Sequence, residues 1–308
     1  MSASFRWRSP PWPPTGHDEH VTDAYLTHRS LLFTVVYEML GSAADAEDVL
    51  QEAWLRWADV DQADVRDPRA YLVRITTRLA LNRIRTMARQ REVYVGPWLP
   101  EPLLTSPDVA DDIELADSVS TAMLVVLETM PPAERAVFVL REVFDMPYAE
   151  IAEAVGKKPD AVRQIAGRAR KHVSERRPRQ KVDAARHREV TEQFMHAIAT
   201  ADLQSLMSVL APDVVLITDG GGVRKAALRP IHGAEKVLRF VAGVTAGLGE
   251  IDAQQVLVNG QPAIQVSIGG EVDTILTARL DDGIVTALYL VRNPAKLGAI
   301  GRETPLSR

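Results

Sequence analysis

One stretch constrains this chain more than any other: YAEIAEAVGKKPDAVRQIAGRARKHVSERRPRQK, Tyr148 to Lys181. Ile151, Ala152 and Val155 share one side of a short helical pattern, and Gly156 breaks it where a turn requires positive φ. A second pattern starts near Pro159 and packs through Val162, Ile165 and Ala169. Helix, tight turn and helix at this spacing predict a helix-turn-helix. In that geometry the second helix lays its N-terminal residues in the major groove, and flanking cations hold phosphates. Asp160, Arg163, Gln164 and Arg168 lie on its outer side, with Lys171 beyond. Arginine and glutamine are side-chain types that pair bidentately with guanine and adenine edges. A merely solvated basic helix would need neither the glycine turn nor the apolar inner residues.

Charge makes the pattern more specific. The 308-residue chain is acidic, with a formal charge of −5. Yet Gly156 to Lys181 holds ten Lys/Arg against two acids, and Arg66 to Arg91 holds eight Arg against Asp67 alone. Gly96 to Ser118, between them, carries six acids and no base. Two basic modules joined by an acidic connector point to a nucleic-acid partner gripped in two places. The length fits two or three domains. The absence of cysteine excludes disulfides, thiolate metal sites and cysteine nucleophiles. No apolar run reaches about 18 residues, so no membrane contact is expected. Residues 1–19, rich in proline and small polar residues, read as a disordered tail rather than a secretory signal.

Helical periodicity runs from Val21 to Leu40, from Ser42 as N-cap through Val60, and from Pro68 to Glu92. The segment VGPWLPEPLLTSPDVADDIELADS contains four prolines and is expected to be an extended linker without regular structure. Helices return from about Val119 to Met130 and from Pro131 to Phe144. After residue 182 the composition shifts. A helix, HREVTEQFMHAIATAD, precedes alternating runs DVVLITD, AQQVLVN, AIQVSI, DTILTARL and IVTALYLV, which predict a separate α+β domain.

DAEDVLQEAWLRW, then DPRAYLVRITTRLALNRIR, an acidic spacer, and PPAERAVFVLREVF followed by the helix-turn-helix occur in an order that resembles an extracytoplasmic-function sigma factor. The resemblance spans Val21 to about Val182. WLPEP (Trp98, Leu99, Pro100, Glu101, Pro102), DGGG from Asp219 and NPAKL (Asn293, Pro294, Ala295, Lys296, Leu297) narrow it to the sigma-factor-J-like subgroup, which carries a fused C-terminal SnoaL-like domain. The resemblance implies a multidomain fold: two all-α sigma modules, then an α+β cone-shaped domain. It divides the chain into a tail (1–19), region 2 (20–95), an acidic linker (96–118), region 4 (119–182) and a SnoaL-like domain (183–308).

The resemblance also implies the roles. Asp48, Gln51, Glu52 and Leu55 would dock on the β′ clamp helices of core RNA polymerase. Arg74, Arg78 and Asn82, spaced i, i+4, i+8 on one helix face, would meet the promoter −10 element. Arg78 stands where some members carry an amide side chain. Arg163, Gln164, Arg168 and Lys171 would serve the −35 element. Because the extra domain is tethered directly behind the second module and WLPEP is a proline-stiffened apolar segment, Trp98 to Pro102, Asp219, Asn293, Pro294, Lys296 and Leu297 are further expected to form a regulatory contact between linker and tail. The protein is then a cytoplasmic transcription initiator with neither catalytic residues nor metal nor cofactor. The SnoaL-like fold also hosts enzymes, which leaves a second reading: a sigma-like regulator whose tail turns over or senses a small ligand. Asp219, His232, Asp273 and Arg279 are the polar groups that such a pocket would use. A third reading is a helix-turn-helix repressor that never touches polymerase.

Overall fold

The computed structural model describes residues 18–61, 64–176, 184–200, 202–245 and 251–308. The expected tail, up to residue 17, and the junction at 177–183 lie outside the described residues. The first helical module packs α1 (Asp18–Leu40), α2 (Ala43–Ala58) and α3 (Pro68–Glu92) against one another. Ser42 caps α2 by accepting from the Asp45 amide, as its position predicts. Leu32, Val36, Leu40, Leu50, Trp57 and Leu72 are sealed in the shared core. Trp54 is only half buried, with its ring 5.0 Å from that of Tyr25.

The connector departs from its expected irregularity. Residues 97–103 carry no regular structure, but α4 (Pro107–Asp111) and α5 (Ile113–Val119) follow. Pro107 occupies the first turn of α4, where a missing N–H costs nothing. Asp112 caps α5 by accepting from the Leu115 amide. The residues that read as linker chemistry are therefore helix-start chemistry, and Val109, Leu115 and Val119 are buried in the helical core.

The second helical module comprises α6 (Thr121–Glu128), α7 (Pro132–Phe138), a π-helical turn at Val139–Val143, α8 (Tyr148–Val155) and α9 (Pro159–Ser174). Gly156 ends α8 at φ 66° and donates its N–H to the Ala152 carbonyl. Pro159 opens α9. Ile151, Ala152, Ala154, Val162, Ile165, Ala166 and Ala169 form the inner surface, while Val155 is only partly buried.

The C-terminal domain begins with α10 (Ala184–Ala199) and α11 (Leu203–Val209). Next in sequence are β1 (Leu210–Asp219), β2 (Ile231–His232), α12 (Ala234–Thr245), β3 (Ile251–Val258), β4 (Gln261–Ile268), β5 (Glu271–Asp281), β6 (Ile284–Val291) and α13 (Pro294–Leu297). The sheet order is β2-β1-β6-β5-β4-β3, with β1 and β6 parallel and the other neighbours antiparallel. Leu276, Leu280, Leu288 and Leu290 pack with Val190, Phe194 and Val237 of the domain's helices. Ile275, Ala287, Tyr289 and Val291 face the other way and join Leu99, Ala122 and Val125. Both faces of the central strands are thus covered, which is why β6 reads as a nearly continuous apolar run. The second cover is the helical half of the chain.

Candidate functional site

The outer face of α2 presents Asp48, Gln51, Glu52 and Leu55 to solvent, with Leu55 60% exposed amid polar neighbours. Asp48 accepts from Arg83 at 2.9 Å, and Glu52 accepts from Arg56 at 2.7 Å. On α9, Arg163, Gln164, Arg168 and Lys171 are all exposed. Arg163 donates to Asp160 at 2.5 Å and lies over the Tyr148 ring, while Arg168 donates to Glu134 at 3.0 Å. On α3, Asn82 is exposed and accepts from Arg85 at 2.8 Å. Arg74 and Arg78 are engaged by Glu153 of α8.

The WLPEP segment is seated between the first module and the C-terminal domain. The Trp98 ring lies between two cations: Arg91 at 3.8 Å and the Lys296 ammonium at 4.0 Å from its centroid. Gly41 sits beneath it, where a Cβ would come within 2.8 Å of the indole. Leu99 is buried against the sheet. Its amide donates to Asp219 at 2.9 Å, and its carbonyl accepts from Lys296 at 2.5 Å. Glu101 reaches the start of α2 and accepts from the Ala43 amide at 2.8 Å, supplying an acceptor to free helix-start donors. Its own amide donates to the Gly41 carbonyl.

Asp219 is fully buried. It accepts from Tyr94 Oη at 2.6 Å, Lys296 Nζ at 2.7 Å and the Gly221 amide at 3.1 Å, besides Leu99. Asn293 caps α13 through Ala295 and donates to Tyr94 Oη at 2.8 Å. Burial pulls Lys296 down to about 8 against the opposing pull of Asp219. Burial, then the Asp219 hydrogen bond, pushes the Tyr94 hydroxyl up. The structure therefore brings together Trp98, Leu99, Asp219, Asn293, Lys296 and Leu297, separated by up to two hundred positions in sequence.

A second fastening lies at the β3–β4 turn. Asn259, at φ 55° and buried, exchanges backbone and side-chain hydrogen bonds with Leu103. Its Nδ2 donates to Tyr37 Oη at 2.6 Å and to the Val119 carbonyl at 2.8 Å. One side chain thus touches the first module, the linker and α5 at once.

The chain matches the Sigma-70 region 2 family over residues 24–90 and the Sigma-70 region 4 family over 120–173. It is 39% identical over 284 residues to ECF RNA polymerase sigma factor SigJ of Mycobacterium tuberculosis, covering 87% of this chain and 90% of that one. The chain belongs to the extracytoplasmic-function sigma factor family. The probable sigma factor SigI of the same organism is 33% identical over 93% of this sigma factor and 98% of its own length. The crystal structure of M. tuberculosis SigJ superposes with a TM-score of 0.73 at 35% identity, over 93% of this chain and all of that one. The module order of this sigma factor, two helical and one α+β, agrees with that full-length likeness.

The polar residues considered for an enzymatic pocket do not converge. Asp219 belongs to the linker fastening. Asp273 is paired with Arg292 at 2.7 Å, and Arg279 with Asp281 at 3.0 Å. His232 is exposed on the two-residue β2 strand. Within the domain, Val190, Phe194, Ile264, Leu276 and Val285 enclose only about 10 Å³, about the room that one water needs. A cleft of about 500 Å³ lies instead between α6, the end of α9 and strands β5–β6. Among the described residues, no cluster of three or more potential metal ligands occurs, and no helix is long and apolar enough to cross a membrane.

Sequence reasoning did not single out Asn259 or Glu153. Asn259-Gly260 signals a tight hairpin turn, but nothing local says that this turn inserts beneath Tyr37. Glu153 reads as an ordinary exposed helix acid.

Proposed function

We propose that this sigma factor directs RNA polymerase to promoters in the cytoplasm, and that its C-terminal domain controls it by fastening the linker. The α2 face of Asp48, Gln51, Glu52 and Leu55 serves the polymerase clamp helices. Arg74, Arg78 and Asn82 serve the −10 element, and Arg163, Gln164, Arg168 and Lys171 the −35 element. No covalent step is required of the protein. Its work is binding free energy: base contacts on α9 select the site, and cations on α3 offset the cost of unstacking bases.

The observation that carries the control reading is Asp219 with Lys296. A fully buried carboxylate and a desolvated ammonium are held together by the linker's own Leu99 backbone. If the linker left, Asp219 would lose the Leu99 amide as a donor and Lys296 the Leu99 carbonyl as an acceptor, and any part of the pair that stayed buried would be left under-satisfied. The domain is therefore built around the linker.

Run-off transcription with core polymerase tests the promoter reading. Arg163→Ala and Arg168→Ala are expected to lose about 1–3 kcal/mol of discrimination at particular −35 positions. Lys171→Ala is expected to weaken use of all sequences evenly and to reduce the salt slope. Equal losses on every sequence from all three variants would remove the base-reading assignment. Absence of any core-dependent transcript would favour a repressor.

A further inference from the structure

Helix α8, the first helix of the helix-turn-helix, packs against α3. Its last turn carries Glu153. Arg74 Nη1 lies 3.2 Å from Glu153 Oε2, and Arg78 Nη2 donates to the Glu153 backbone carbonyl at 2.7 Å. The Arg74 guanidinium also stands over the Tyr71 ring, 5.1 Å from its centroid. Gly156 and Lys157 both donate to the Ala152 carbonyl. The carbonyl of Glu153 is among the last four of the helix, which have no partner within it, and it carries the partial negative charge of a helix C-terminus. The end of α8 thus offers a carboxylate and a negatively polarised carbonyl to two consecutive arginines on one face of α3.

We propose that Glu153 is a built-in competitor for single-stranded −10 DNA. It presents two acceptors where phosphate or base acceptors of the opened strand would bind. This rests on the reading of Arg74 and Arg78 as the −10 face. The contact suits displacement. The Arg74–Glu153 pair is solvent-exposed, with Glu153 67% exposed, and such pairs contribute little to stability. Glu153 therefore sets a modest, reversible threshold, which a strand making several contacts at once can overcome. The threshold sits on the module that reads the other promoter element. Moving α8 away would release Arg74 and Arg78 together, linking engagement of one element to access to the other.

The test uses the free full-length protein and a fluorescein-labelled single-stranded oligonucleotide of randomised sequence, read by anisotropy. Glu153→Gln keeps the helix and the carbonyl but removes the charge. It is expected to tighten binding about two- to fivefold, the range of an exposed ion pair. Glu150→Gln, the same charge change one turn earlier on α8, is expected to leave affinity nearly unchanged. In an Arg74→Ala background the Glu153→Gln gain should vanish, because coupled residues lose additivity. If Arg74→Ala weakens binding but Glu153→Gln has no effect in the wild-type background, the competitor proposal is wrong and the −10 reading stands. If Arg74→Ala and Arg78→Ala both leave binding unchanged, the reading and the proposal fall together. Equal gains from Glu150→Gln and Glu153→Gln would reduce the effect to net charge and also overturn the proposal.

Discussion

Glu38 is buried on α1, where it accepts from Ser118 Oγ of α5 at 2.8 Å, and its other oxygen finds no partner among the described residues. Burial, only partly opposed by that hydrogen bond, raises its carboxyl to about 8. An acid raised on folding contributes stability at low pH and loses it as pH climbs through the folded value. Thermal unfolding should therefore show the wild type losing stability relative to Glu38→Gln as pH rises from about 5 to 8. Parallel curves for the two proteins would assign the pH dependence elsewhere. Lys296 gives a second prediction at this scale. Lys296→Met leaves Asp219 buried without its cation, a change that costs about 3–5 kcal/mol in comparable buried pairs. Denaturant unfolding should show that loss. Adding Asp219→Asn should recover part of it, and a double variant less stable than Lys296→Met would argue against the pairing.

The linker is the element on which the arrangement turns. Gly41 has φ 65° and lies against the Trp98 indole, so Gly41→Ala meets both backbone strain and a clash. The strain alone is worth about 1–3 kcal/mol. Trp98 should move away from Arg91, increasing the quenchable fraction of tryptophan fluorescence relative to a Trp98→Phe reference. An unchanged quenching profile would mean that the indole is not seated on Gly41. Much at this scale is legible in sequence. The α8 and α9 boundaries follow from Gly156 and Pro159, and the N-cap of α2 from Ser42. The WLPEP, DGGG and NPAKL segments carry residues that meet in the fold. What is not legible has physical causes. Prolines at 97, 100, 102 and 107 look alike in sequence, but the last starts a helix because Asp108 to Asp111 can continue it. Runs such as DTILTARL do not reveal which of two covered sheet faces meets foreign helices. The Asn259-Gly260 turn specifies its own backbone and says nothing of Tyr37, 222 positions away.

At the scale of the whole molecule, the C-terminal sheet uses one face for its own helices and the other for the sigma modules. Tyr94, Trp98 and Leu99 hold one end of the linker, and Leu103 and Thr105 hold the other through Asn259 and Gly260. The chain's last residues add a third fastening. Leu306 is buried in the helical core, the Ser307 amide donates to Thr34, and Arg308 pairs with Asp112 and Glu114. Tethering makes such contacts effectively concentrated, which favours the closed arrangement in the free protein. The central claim is that these fastenings keep the two promoter-reading modules together. Because the chain has no cysteine, spin labels can be placed at will, for example at Thr86 on α3 and Lys157 after α8, both exposed. Pulsed dipolar spectroscopy on free wild type should give one narrow distance. Lys296→Met combined with Asn259→Ala should broaden it towards longer separations. An identical narrow distribution in that variant would show that the modules hold each other without the C-terminal domain, and would contradict the account.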